Sequence, residues 1–333
     1  MTLFVVIAVL AVLGAVAVLA ALEHRTWLTR REARRRETAN RLRPSALALI
    51  DGEDPQVPTL SGPDTLVFAD LLVHYSRGLR GEADDRISGY FESTGAVDRE
   101  LRHLHGVRER SRVEAAFGLG DLGSSRAVPE LVRALDDRSA DVRAAATRSL
   151  GRLGATTAVQ QVIAASVALR VPRAVAGAAL LEIGPQAVPS LLELLGHEDP
   201  HFRADAAELI GLLGAANDAD ALPSRLRDGS PEVRAATAAA LGRLGSGTAR
   251  DELVATLQDR VPYVRASAAR ALGQIGGRTA TAALLEVARH DEFDPASEAA
   301  RALARIDPAL VLRAAEEPDS GPHLLEAADR LRL

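Results

Sequence analysis

The 333-residue chain has no cysteine and no lysine, one methionine, one tryptophan, three tyrosines and six phenylalanines. Without cysteine there can be no disulfide, thiolate metal site, thiol nucleophile or lipid-modified cysteine. All 40 basic residues are arginine, which reads as coding bias rather than as a need for guanidinium. Aromatics are 3% of a chain that is 47% hydrophobic. Its core must therefore come from Ala, Leu, Val and Ile, a composition suited to close-packed helices. Basic charge is outnumbered by acidic charge beyond the N-terminal region. The net charge is −5, residues 23–43 hold eight Arg against three Glu, and residues 44–333 therefore sum to −10. A body of that sign argues against nucleic-acid binding.

What the N-terminus does have is a run of 20 residues, Leu3 to Leu22, without a polar or charged side chain. At ~1.5 Å per residue a helix of that length spans one bilayer core of roughly 30 Å. Arg25, Arg30, Arg31, Arg34, Arg35 and Arg36 follow it. Arginine beside a span stays on the cytoplasmic side, so the expected topology is N-terminus outside, a single pass in the cell membrane, and a cytoplasmic body. Trp27 stands where an interfacial anchor would. A cleaved signal would carry its positive charge before the apolar run rather than after it. Arg30, Arg31, Arg34, Arg35 and Arg36 are also candidates for contact with anionic lipid headgroups, beside their role in fixing topology.

The expected organisation is a transmembrane helix at 1–22, a basic juxtamembrane segment at 23–43 and a linker at 44–64. A helical body fills 65–333, comprising an atypical cap at 65–123, six repeats at 124–307 and a C-terminal cap at 308–333. Arg41 to Ile50 reads as a short helix. Residues 51–64 hold three Pro and two Gly and read as an extended linker, the clearest domain boundary in the chain. Helical spacing predicts further helices near 65–79, 84–93, 97–104 and 108–122. Tyr75, Tyr90 and Phe91 read as core, with a partner site as the alternative.

The body repeats itself. Glycines at 123, 154, 184, 214, 245 and 276, with Asp307 taking the slot once more, are separated by 30 or 31 residues. Eleven residues before the glycines stand Arg112, Arg143, Arg173, Arg203, Arg234 and Arg265; the last unit has Ala296 instead. Seventeen before lie Asp137, Asp228 and Asp259, with His197, His290 and Val167 at the same slot in other units. Each unit reads as a helical hairpin. In the first, helix A covers about 127–135 and helix B about 140–153, where Val142, Ala145, Ala146, Leu150 and Leu153 form one apolar stripe. Gly154 then terminates the helix. A lone hairpin cannot bury both faces, so stacked copies share one core.

The unit running from Ser125-Arg126-Ala127-Val128-Pro129-Glu130-Leu131 through Val142-Arg143-Ala144-Ala145-Ala146 to Leu150-Gly151-Arg152-Leu153-Gly154 resembles the HEAT repeat, in the short form found in phycobilin-lyase-like proteins. The resemblance covers roughly 108–307. It implies an all-α fold, an α-solenoid or superhelix of HEAT-type hairpins, here preceded by a single transmembrane helix. It also implies that the six arginines, with Asp137, Asp228 and Asp259, form a structural ladder along the stack.

Two units depart from the pattern. The turn at 167–172 lacks its acid and is apolar, which makes Leu169 and Val171 partner-contact candidates beside the alternative of simple degeneration. His197 and His201 are further candidates in the turn that also holds Glu198 and Asp199. Pro200 breaks the helical spacing that would align the two His on a metal. No glycine-rich phosphate loop and no nucleophile–base constellation is present, and no cofactor, catalytic residue or metal ligand is expected. The single pair His197-Glu198 argues against the di-iron deoxyhypusine hydroxylases, which use repeated His-Glu pairs. The expected function is a membrane-anchored, non-catalytic scaffold or adaptor for a protein partner. The alternatives are a lyase-like or metal-dependent enzyme acting on a protein, and an adaptor in an envelope or glycosyltransferase assembly.

Overall fold

The computed structural model describes residues 2–53, 60, 62–76, 79 and 81–333, with side chains described from Leu22 onward except Leu28. Among the described residues every regular element is helical. The chain forms two compact units, residues 1–102 with 121–124, and residues 103–120 with 125–333.

In the first unit the short helix expected at 41–50 is the end of one 50-residue helix, α1 (Thr2–Asp51). Pro44 lies inside it, where a proline removes a backbone hydrogen bond at a cost of about 3 kcal/mol. Packing offsets that loss. Leu42, Ala46 and Ile50, spaced by one helical turn, are all buried. α2 (Pro63–Ser76) and α3 (Glu82–Ser93) receive α1, and α4 (Ala96–Leu104) follows. Arg41 pairs with Asp64 and Arg35 with Asp70, while Arg86 donates to the Ile50 carbonyl at 2.7 Å. The expected boundary at 51–64 is therefore not where the compact units divide; α1 is held to the helices beyond that segment. Its residues 54–59 and 61 lie outside the described residues, as do the side chains of most of the apolar run at 3–22. No single helix among the described residues is long and apolar enough to cross a membrane. Phe68 and Phe91 are fully buried, and Tyr90 packs edge-on to Phe68 at 5.4 Å.

The second unit is a series of hairpins. After α5 (Glu109–Asp121) come α6 (Val128–Ala134) with α7 (Ala140–Arg152), α8 (Val159–Val167) with α9 (Arg173–Ile183), and α10 (Val188–Leu194) with α11 (Pro200–Leu213). The next first helix is replaced by two 3-10 turns, Ala216–Ala221 and Pro223–Arg227, before α12 (Pro231–Leu244). Pro223 has no N–H to continue a helix, and the Asp218 carboxylate accepts the Ala215 amide at 2.6 Å, closing a local turn instead. α13 (Arg250–Thr256) with α14 (Pro262–Ile275), α15 (Thr281–His290) with α16 (Phe293–Ile306), and α17 (Pro308–Ala314) with α18 (Gly321–Arg332) complete the series. Gly154 ends its helix at φ 58°, with the Ala155 amide bonded to the Leu150 carbonyl at 3.0 Å, the six-to-one closure of a left-handed C-cap. Gly214 does not follow suit; its φ is −75°.

Candidate functional site

Two contacts recur between successive second helices, and together they define a regular interface. The first is an ion pair. Arg112 grips Asp137 through Nε and Nη2 at 2.8 and 2.9 Å, Arg203 grips Asp228 at 2.9 and 2.7 Å, and Arg234 grips Asp259 at 2.6 and 2.8 Å. Nη1 of each arginine turns back to its own inter-helix turn, as Arg234 does to the Asp228 carbonyl at 2.9 Å. Each ladder aspartate also accepts the amide two residues on, for example Ser230 on Asp228 at 2.9 Å. The aspartate thus joins the preceding arginine to the start of its own second helix. Burial opposes the charge on Asp137 and Asp228. The bonds from Arg112 and Arg203, with the Ser139 and Ser230 amides, outweigh it and hold both carboxyls below the usual carboxylate range. On Asp259 the Arg234 hydrogen bond is the largest influence, and that pKa too is lowered.

Arg265 continues the ladder one residue away from the predicted slot. Asp291, not His290, receives its Nε at 2.7 Å. α15 runs on through His290 before the turn, which shifts the acceptor by one position.

The second contact is a close approach of backbones. A Cβ added to Gly151 would lie 2.7 Å from Ala179 Cα, one on Gly211 2.6 Å from Ala240 Cα, one on Gly242 2.7 Å from Ala271 Cα, and one on Gly273 2.9 Å from Ala302 Cα. Each helix offers a glycine three residues before its terminal slot, and the next offers an alanine five before. The sequence carries this signal, since the same glycine begins every Gly-x-x-Gly of the array, but its packing role is visible only with the neighbouring helix in place.

Both contacts fail at the same interface, between α9 and α11. The glycine slot holds Leu181 and the facing alanine slot holds Leu209. Two leucines cannot occupy the space of Gly and Ala, so the helices stand apart over most of their length, while α7–α9, α11–α12, α12–α14 and α14–α16 pack closely. The ladder acid is missing too. His197 occupies its slot and copies only part of its role, accepting the Asp199 amide on Nδ1 at 3.1 Å. Arg173, with no acid ahead of it, swings aside to Asp205 on α11 at 2.9 Å and lies over the Phe202 ring at 5.9 Å. One interface earlier, Val167 also lacks an acid. There Arg143 donates instead to the Arg170 carbonyl at 2.7 Å, and the Gly151–Ala179 approach survives.

The separation leaves a cleft of about 400 Å³ walled by α8, α9, α10 and α11. That lies within the range of binding pockets, roughly 300–1,000 Å³. Its floor and walls are apolar, with Ile163, Leu180, Leu194 and Leu209 among them, and the polar groups are few: Ser166, Arg173, Asp205 and Glu208. Leu181 and Leu212 remain exposed at 39% and 50%. The Arg173–Asp205 pair is about two-fifths exposed on each side, unlike the ladder pairs. Burial pushes the Asp205 carboxyl up, and the like charge of Glu208 adds to this, against the opposing charge and hydrogen bond of Arg173.

The partner-contact candidates read from the sequence are placed differently from one another. Leu169 is 82% exposed at φ 56°, a left-handed conformation that a bulky side chain seldom adopts. Val171 is 1% exposed and packs inside, so it is a core residue rather than a contact. His197 is half-buried with its ring edge-on to Phe202 at 5.0 Å, and His201 is exposed on the first turn of α11. Among the described residues no three His, Asp or Glu side chains gather to hold a metal. In the basic segment, Arg35 and Arg36 are engaged by Asp70 and Glu32, and Arg31 lies 5.3 Å from the Trp27 ring centre.

The HEAT-repeats family matches residues 104–180 and 219–304. Both stretches exclude the α10–α11 hairpin. No curated protein matches the chain. Among solved structures, human deoxyhypusine hydroxylase in complex with glycerol is 25% identical over 81% of this chain and 97% of that chain, at a TM-score of 0.33. The complex of CpcE and CpcF of phycocyanin lyase from Nostoc sp. PCC7120 is 24% identical over 71% and 94%, at 0.33. An engineered protein is 20% identical over 86% and 87%, at 0.41.

Proposed function

The repeats are of the HEAT type, and from that premise we propose that the chain is a non-catalytic scaffold that docks a protein partner in the α9–α11 cleft and holds it at a membrane. The observation that carries this reading is that one interface loses both of its repeating contacts and leaves Leu181, in the glycine slot, and the nearby Leu212 exposed. A unit that had merely drifted would still need its apolar surface covered. The anchor is assigned to residues 3–22 and the orientation, with a cytoplasmic body, to the arginines after them; Arg30, Arg31 and Arg34 are the headgroup contacts of this reading.

Affinity purification of the full chain from its native membranes tests both parts. The full chain is expected to stay with membranes through an alkaline wash, to resist protease added from outside, and to retain a stoichiometric protein. That protein is expected to be lost from the Leu181→Asp variant, whose folding is checked by circular dichroism. A chain freed by the wash refutes the anchor, and a partner set unchanged by Leu181→Asp refutes docking at the cleft.

A further inference from the structure

The charge of the cleft specifies what should enter it. Two carboxylates, Asp205 and Glu208, line one wall, three residues apart on the same face of α11, and a single guanidinium, Arg173, faces them. The lining therefore carries an uncompensated negative charge beside an apolar floor. We propose that the occupant is an amphipathic helix of a partner protein, presenting aliphatic side chains to Leu180, Leu181, Leu209 and Leu212 and one Arg or Lys to Glu208. This rests on the docking reading above and names the chemistry of its partner.

Three observations converge. First, two of the four walls are the successive second helices α9 and α11, with Leu181 and Leu209 in the slots where other units pack Gly against Ala. α9 has 11 residues, about 16 Å of groove at ~1.5 Å per residue, which suits side chains spaced at i, i+4 and i+7 on an incoming helix. Second, the exposed Leu181 and Leu212 are spare apolar contacts of the kind such anchors bury. Third, covering Glu208 with an apolar or acidic partner would strand a carboxylate beneath it, whereas a basic side chain completes two ion pairs for two carboxylates. An acyl chain with an anionic head would fit the floor but would set its charge against Glu208.

A displayed library of randomised helical 16-residue peptides, selected against the full chain in detergent micelles, tests this. The enriched peptides are expected to share aliphatic residues at i, i+4 and i+7 and a basic residue on the same face. Leu212→Arg, a half-exposed position, is expected to weaken them about tenfold or more with an unchanged melting temperature. Glu208→Gln is expected to abolish the preference for Arg over Gln at the basic peptide position. Cleft-dependent peptides that lack a basic residue, or carry an acidic one, overturn this inference and leave the docking reading standing. If no enriched peptide is sensitive to Leu212→Arg, the cleft is not a helix-binding groove.

Discussion

A single aspartate in the ladder serves three partners, which makes it costly to alter. Asp228 takes a bidentate grip from Arg203, the amide of Ser230 and, through its carbonyl, Nη1 of Arg234. With side chains 16% and 6% exposed, Arg203 and Asp228 are nearly out of water. Asp228→Asn keeps an acceptor for Ser230 but leaves the arginine without its counter-charge, and is expected to destabilise the fold by about 2–3 kcal/mol. Asp205→Asn, in the half-exposed pair, is expected to change it by less than about 1 kcal/mol; urea denaturation compares the two. Acid should act through the same groups. Asp137, Asp228 and Asp259 have native pKa values below their unfolded values, so the unfolded chain binds protons first as pH falls. Their contribution is complete above about pH 5, roughly one unit over the unfolded aspartate value, and drains away as pH falls through that value toward the lower native ones. Stability is expected to fall between pH 5 and pH 3, less steeply in Asp228→Asn, as read from the urea midpoint at each pH. Spacing made six arginines candidate rungs, and Arg112, Arg203, Arg234 and Arg265 do bind an acid in the next unit. That Arg143 turns to the Arg170 carbonyl and Arg173 to Asp205 was not legible, because each outcome depends on what the next hairpin places in reach.

At the scale of elements, register decides how tightly two helices pack. Positions that meet across an interface lie about one unit apart in sequence, so a repeat read by itself reports only half of each contact. Leu181 in a glycine slot looks harmless until Leu209 is seen facing it. Helix ends were legible to within a few residues, and the miss at α1 has a clear cause. The short helix read at 41–50 continues back through the basic segment, since no proline or glycine in 23–43 interrupts it, and the buried stripe of Leu42, Ala46 and Ile50 keeps it helical across Pro44. The first helix of the 215–245 unit was likewise replaced by turns around Pro223. The missing rung can be restored in isolation. His197→Asp supplies the absent acid, and Arg173 is then expected to return to the ladder, raising stability by about 1 kcal/mol in urea denaturation. An unchanged midpoint would mean that the leucine wedge, not the missing acid, keeps Arg173 away.

At the scale of the whole molecule, a repeat array derives specificity from the places where it stops repeating. Stability in such arrays is the sum of each unit and its neighbouring interfaces, so an interface without rung or close approach is the weakest step in the series. Here the same step also opens an apolar cleft lined by two carboxylates and one guanidinium, which is why the docking site is assigned to it. The most direct measurement places a photo-crosslinking amino acid at position 212 and, in separate chains, at 243 and 274, which occupy the same slot in units with intact contacts. Illuminated in native membranes, position 212 is predicted to yield a discrete protein adduct, with little or none from 243 and 274. Equal adducts from all three positions, or none from 212, would contradict the assignment.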